Sequence, residues 1–519
     1  MADLVLVNGN VLTMNESQPL AQAIAVKNNR IVRVGSNTEI RSLVTGTTQI
    51  LDLKGKTVVP GFIDTHIHVA DFGRILDWID LSKAGTIEEL LQQVRNKAAT
   101  VSKGKWLLGS GWNDQKLAEK NCPTKQDLDA AAPDNPVILY HALGQTAVAN
   151  SQALELSGLT KETLPPEGGV IDRNKETGEL TGLLKGAATD LVWRKVPEPT
   201  MRENLESARI ACKTIVETGI TSIHWITTSA KEARTVEQLS KDNKIPLRIF
   251  AITAAKNLGR LRKNGAKAGF KGALIFADGY LASKTAALNM PYLDNPKNNG
   301  KLRGSQDALN QLALKVHNAG LQVIIHAMGD RAVGVAVKAF EGLLLRDSME
   351  GSRLRLEQAS LLNEQLIKDI GRLGIIVSVQ PKVIESEFLV WKAVENLGEN
   401  RAKMLFPLKT LMKSGICVVG GSDCPMEPLS PLLGIQALVE RKSFPEERLT
   451  AQEALKLYTV NAAFATNDES VKGSIEVGKL ADLTVLSEDP TSIAVEKLGS
   501  IEVEMTIVDG VIVYRKCVL

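Results

Sequence analysis

The densest chemical signal in the chain is the run Pro60-Gly61-Phe62-Ile63-Asp64-Thr65-His66-Ile67-His68. Residues two apart on a strand project to the same side, so His66 and His68 would point together. Two imidazoles on one side can bind one ion at about 2.0–2.1 Å each. The plainer alternative is two half-buried histidines with ordinary hydrogen bonds. The chain has only six His, which makes such a pairing informative. His326 ends the apolar run Leu321-Gln-Val-Ile-Ile-His326, and Asp423 ends Val418-Val-Gly-Gly-Ser-Asp423. Each taken alone reads equally well as a loop histidine or a helix-capping aspartate. Joined to the His-x-His pair they form a three-His, one-Asp set, which suits a catalytic Zn²⁺ or Fe²⁺ with one open position.

These residues need a scaffold that brings distant strand ends together. Eight β-type runs fall at 58–68, 221–225, 248–252, 273–278, 323–326, 353–358, 375–380 and 417–423. Most are continuously apolar, as strands buried on both faces are. Helical patterns separate them, which implies parallel βαβ units. The clearest late helix opens on the capping box Thr450-Ala-Gln-Glu453 and is expected to run towards Ala465. The expected fold is α/β, a (β/α)₈ TIM barrel over residues 58–469. Its strand ends carry the candidate ligands on the face where barrel active sites lie.

Both ends of the chain are strand-rich, with Asn-Gly and Asp509-Gly510 hairpin signals. Residues 1–57 and 470–519 are therefore expected to form one small β-sandwich domain. Residues from about 70 to 205 fit no single barrel unit and read as a large insertion after barrel strand 1.

With those motifs in place, the chain resembles the amidohydrolase superfamily, in the branch called amidohydrolase 3. The resemblance runs nearly end to end. It rests on Val59-Pro-Gly-Phe-Ile-Asp-Thr-His-Ile-His68, Gly109-Ser-Gly-Trp112, Asn150-Ser151, Asp278-Gly279, His326-Ala-Met-Gly-Asp-Arg331, Gly421-Ser-Asp423, Leu449-Thr450 to Ala463, and Gly473-Ser-Ile-Glu-Val-Gly-Lys-Leu-Ala-Asp482. It implies a hydrolase of non-peptide C–N bonds that uses a metal-activated water, with Asp423 shuttling the proton to the leaving nitrogen.

The chain also departs from the family pattern. A lysine that often bridges two metals is replaced by Leu274, the histidine ending the sixth strand by Gln358, and an Asp-Gly-His by Leu143-Gly144-Gln145. The resemblance therefore implies one metal ion, Zn²⁺ first and Fe²⁺ second, held by His66, His68, His326 and Asp423. Gln358 is expected to act beside Asp423 on the water or the substrate carbonyl. Gln145, His224, Asp278, Lys284 and Arg331 are candidates for contacting substrate, each with a structural alternative. The lost lysine and histidine keep a second reading open, a catalytically decayed barrel with a binding or regulatory role. A metal-independent isomerase or lyase on the same fold is a third.

Composition bounds the partners. Hydrophobic residues make up 44% and charged residues 23% of 519, with a net charge of +3. That balance is globular and gives no basic surplus for nucleic acid or anionic lipid. Aromatics at 4% argue against a base-stacking surface. No apolar run approaches the roughly 20 residues of a membrane span, and the first residues lack a signal-peptide pattern. Five scattered cysteines form neither a disulfide framework nor a zinc pattern, so a cytoplasmic setting is expected. Neither a phosphate loop nor a G-x-S-x-G nucleophile elbow is present. The expected partner is a small-molecule substrate, and a homodimer is an option that the resemblance leaves open.

Overall fold

The computed structural model describes residues 1–142, 144, 146–241, 245–259, 269–346 and 353–517. Two compact units emerge, one of Met1–Gly73 with Ala208–Leu519, the other of Arg74–Ser207.

The first unit holds eight parallel strands in one sheet: Phe62–Ile67, Ile220–Thr227, Arg248–Ala254, Phe270–Phe276, Gln322–Ala327, Arg355–Gln358, Ile376–Val379 and Val418–Gly420. They neighbour one another in chain order, as right-handed βα crossovers require. The first and eighth strands meet at the C-terminal end. Ile67 bridges Cys424 in parallel, Asp423 N–H donates to the His66 carbonyl at 2.8 Å, and His68 N–H donates to the Cys424 carbonyl at 2.9 Å. The ring closes where the candidate ligands stand.

The expected strand at 58–68 is two strands. Thr57–Pro60 pairs antiparallel with Leu483–Leu486 in a different sheet, and Phe62–Ile67 enters the barrel. Gly61 sits at the break because a Cβ there would lie 2.3 Å from the Thr221 side chain. The expected helix towards Ala465 is also interrupted. Ala451–Leu457 carries the capping box, and Val460–Phe464 follows as a separate helix. The Tyr458 carbonyl between them leaves the helical ladder to accept from Ile63 N–H at 2.8 Å, which ties this segment to the first barrel strand.

Two further sheets belong to this unit. One orders Arg30–Gly35, Ala23–Lys27, Leu4–Val7 and Gln49–Asp52. The other orders Val511–Arg515, Val503–Val508, Leu483–Leu486, Thr57–Pro60, Asn10–Leu12 and Leu20–Ala21. Leu4, Leu6, Ile24 and Val26 of the first share one apolar core with Val11, Val58, Leu483, Val485 and Ile507 of the second.

The second unit is built on a six-stranded sheet running from Gly169–Arg173 to Ile79–Asp80. Its Asn150 is a structural clasp. The side chain accepts from Val137 N–H at 2.9 Å and Ala153 N–H at 3.0 Å, and donates to the Asn135 carbonyl. Among the described residues no helix is long and apolar enough to cross a membrane.

Candidate metal centre

His66 is the penultimate residue of the first barrel strand, and His68 follows that strand directly. Their Nε2 atoms approach the same oxygen, Asp423 Oδ1, at 3.3 and 3.5 Å. The ligating atoms of His66, His68 and Asp423 all lie within 4.8 Å of one another. Asp423 lies three residues beyond the eighth strand, which is shorter than the expected 417–423. Its φ of 61° aims the carboxylate back at the imidazoles, a left-handed conformation that costs a non-glycine residue about 1–3 kcal/mol. Gly421 makes the approach sterically feasible, since a Cβ there would lie 2.5 Å from His66 N. Asp64 fastens the two strand ends together: its Oδ1 accepts from His66 N–H at 3.0 Å and from Ser422 N–H at 2.9 Å.

His326, near the end of the fifth strand, stands outside the 4.8 Å cluster. Its ring packs 5.1 Å from Phe276 and 5.3 Å from Tyr280, and its Nδ1 lies 3.8 Å from Asp278 Oδ1. It is 1% exposed, yet neither ring nitrogen has a hydrogen-bond partner among the described residues. Buried imidazole nitrogens are normally paired, so this ring is suited to accept an external ligand. Burial, and then the charge on His66, lowers its pKa to about 4, leaving it neutral and able to donate a lone pair.

Gln358 ends the sixth strand with φ 71° and reaches the cluster, its Nε2 donating to Asp423 Oδ2 at 3.4 Å. Its Oε1 is buried and has no hydrogen-bond partner among the described residues. The remaining candidates are engaged elsewhere. Asp278 accepts from the backbone N–H groups of Ala287, Gly329 and Met328 at 2.9, 2.9 and 3.1 Å, which pins the segments after strands four and five to each other. Its burial raises its pKa to about 6 against those donors. His224 meets Arg355 across the barrel at 2.9 Å, and its ring lies tilted 4.8 Å from that of Phe250. Lys284 pairs with Asp294, and Arg331 donates to the Gly300 carbonyl at 3.2 Å. Gln145 and Leu143 lie outside the described residues.

Beneath the cluster runs a buried polar chain. Arg355 and Glu357 are both fully buried. Arg355 Nη2 donates to Glu357 Oε2 at 2.5 Å, to the Thr65 carbonyl at 2.6 Å and to Ser378 Oγ at 3.0 Å. Glu357 Oε1 accepts from Gln380 at 2.8 Å and lies 3.0 Å from His66 Nδ1. Burial opposes the Glu357 charge, but Arg355 and then His66 outweigh it and hold the carboxylate down at about 2. Burial likewise opposes the imidazolium of His66, yet Glu357 and Asp423 push that ring up to about 10. Asp423 is held well below the usual carboxylate range by His66 and His68, despite its burial. The Glu357 anion beside Nδ1 orients the His66 ring and leaves Nε2 facing Asp423. Two-residue parity was the sequence signal for this chain: Arg355 and Glu357 share one side of a strand whose other residues are buried.

The sequence matches the amidohydrolase family over residues 49–514. The chain belongs to that family. It is 30% identical to N-substituted formamide deformylase of Arthrobacter pascens, covering 99% of each chain. An uncharacterized metal-dependent hydrolase of Pyrococcus furiosus superposes with TM-score 0.77 at 29% identity, covering 94% of this chain and 100% of that one. A second such hydrolase, from Pyrococcus horikoshii, gives TM-score 0.75 at 28% identity over 95% and 99%. This amidohydrolase is thus a hydrolase acting on carbon–nitrogen bonds, on an eight-stranded parallel barrel.

Proposed function

We propose that this amidohydrolase cleaves a non-peptide C–N bond of a small molecule, an N-acyl or N-formyl amine, around one divalent ion. The observation that carries the reading is the convergence of His66, His68 and Asp423 within 4.8 Å at the closed end of the barrel. The donor set fits a borderline ion such as Zn²⁺, with Fe²⁺ second. His326, buried with both nitrogens unpartnered among the described residues, would supply a further ligand. A single ion is favoured because Leu274, at the position of the family's bridging lysine, packs among Ile226, Phe250, Ile252 and Ile324 and offers no ligand atom. When bound, the ion supplies Lewis acidity and brings the pKa of water towards about 7.

The chain's own groups do the rest. Asp423, ionised at neutral pH, accepts the proton of the attacking water and returns it to the leaving nitrogen. Gln358 cannot take up a proton near neutrality. Its amide steadies Asp423 Oδ2 and presents Oε1 to a donor on the substrate. Glu357 holds His66 in register. The unpaired cysteines among the described residues are compatible with a cytoplasmic setting.

The test is metal content and hydrolysis together. Protein purified without added metal should carry about one equivalent of Zn or Fe, and it should release amine from N-formyl or N-acyl amines. Asp423→Asn should lower kcat by about 10²–10⁴ while the melting temperature stays nearly unchanged. Wild-type turnover in that variant would remove Asp423 from the chemistry. Failure to bind metal after reconstitution would remove the hydrolytic reading altogether.

A further inference from the structure

A second group of acids stands near Asp423 and is not used by the mechanism. Glu387 lies in a single wide turn, Ser386–Val390, after the seventh strand, where Trp391 N–H closes back on the Ser386 carbonyl. Such widened turns often accompany functional positions. Glu387 is 5% exposed, and its Oε2 is buried without a hydrogen-bond partner among the described residues. Glu427, four residues beyond Asp423, is half-buried, and its Oε1 accepts from Ser386 Oγ at 2.5 Å. The nearby lysine, Lys382, pairs with Glu385. Among the described residues neither Glu387 nor Glu427 has an ion-pair partner. The two carboxylates repel one another, and Glu427 also feels Asp423.

A buried carboxylate without a partner costs several kcal/mol. A neutral N–H donor would satisfy Oε2 but leave Glu387 opposed to Glu427 once both ionise, and an anion would worsen the repulsion. A cationic donor satisfies the oxygen and neutralises the pair in one contact. We infer that Glu387 and Glu427 form a subsite for a cationic nitrogen group, ammonium or guanidinium, on the part of the substrate away from the scissile bond. This rests on the amide-hydrolase reading of the neighbouring site. It makes the substrate an N-acyl compound with a second, positively charged nitrogen.

The experiment compares an N-acyl alkyldiamine, whose free end is an ammonium, with the N-acyl alkylamine of equal length ending in methyl. Wild-type protein loaded with metal should favour the cationic compound in kcat/KM by about tenfold or more. Glu387→Gln should bring the ratio close to one. A ratio that survives in Glu387→Gln and in Glu427→Gln overturns the inference, as does a wild-type preference for the neutral compound. Replacing the ammonium by guanidinium in the same series shows which cation the subsite takes. Calorimetric binding of hexylammonium, with hexanol as control, separates the two readings because it needs no turnover. Binding that is lost in Glu387→Gln, with neither compound hydrolysed, keeps the subsite and refutes the hydrolytic proposal. Hydrolysis without any cation effect does the reverse. Glu387→Leu serves as a second folded variant should the glutamine variant fail to fold.

Discussion

Two buried glutamates near the barrel mouth have opposite fates. Glu357, on the sixth strand, is fully buried and surrounded by Arg355, Gln380 and His66, and its pKa falls to about 2. Glu387, after the seventh strand, is buried to a similar degree with no cation paired to it among the described residues, and burial together with Glu427 raises its pKa to about 8. Burial alone therefore does not decide the state of a carboxylate here; the partner does. The first acid is complete within the protein and positions His66. The second is complete only when something from outside arrives.

The sharpest way to break this contrast is to make the first acid resemble the second. Arg355→Met removes the cation while leaving Glu357 buried, and should cost about 3–5 kcal/mol of unfolding free energy in urea. A loss under 1 kcal/mol would mean that the barrel network is not what compensates Glu357. Next in size, Glu357→Gln keeps the shape but removes the anion from His66 Nδ1. Metal affinity should fall by about 10–100-fold, read by competition with a chelator, with Glu357→Asp recovering part of it. Equal affinity in all three proteins would reduce Glu357 to a packing residue.

The smallest effect concerns the second acid. Glu387→Leu should be neutral or stabilising by about 1 kcal/mol, since no hydrogen bond to Oε2 is lost. Glu387 keeps its proton up to about pH 8 when folded, against an ordinary value of 4.5. Between those values the folded state binds more protons than the unfolded state, so stability falls as pH rises through the window. Wild-type protein should lose stability relative to Glu387→Leu from about pH 4.5 to about pH 8. Parallel pH curves for the two proteins would place the Glu387 carboxyl in an ordinary environment.

The legible and illegible parts of this site differ for physical reasons. His66 and His68 could be read because strand parity is local. The eight runs gave the barrel because strands buried on both faces are apolar throughout. The break at Gly61 was hidden, since it depends on Thr221 approaching from a distant strand. Asp423 could be placed at a strand end, but its left-handed backbone, which turns the carboxylate inward, leaves no mark on periodicity. His326 sits on the expected strand, though its side chain stands apart from the three-residue cluster. Asp278, Lys284 and His224 looked available because sequence does not reveal backbone donors or partners such as Asp294 and Arg355. Glu387 could not be found at all, because a widened turn has neither the helical nor the strand period.

Asp64 and Ser422, whose hydrogen bond joins the two ends of the barrel, are 358 residues apart in the chain. Bringing them together is among the most entropically demanding steps that this polypeptide faces on its way to the native state. In the proposed metal centre the imidazole pair comes from one side of that seam and the aspartate from the other. An ion therefore cannot template early folding by gathering these donors. It can be captured only after the last strand has docked, so metal uptake during refolding should trail the main optical transition and report on completion of the ring.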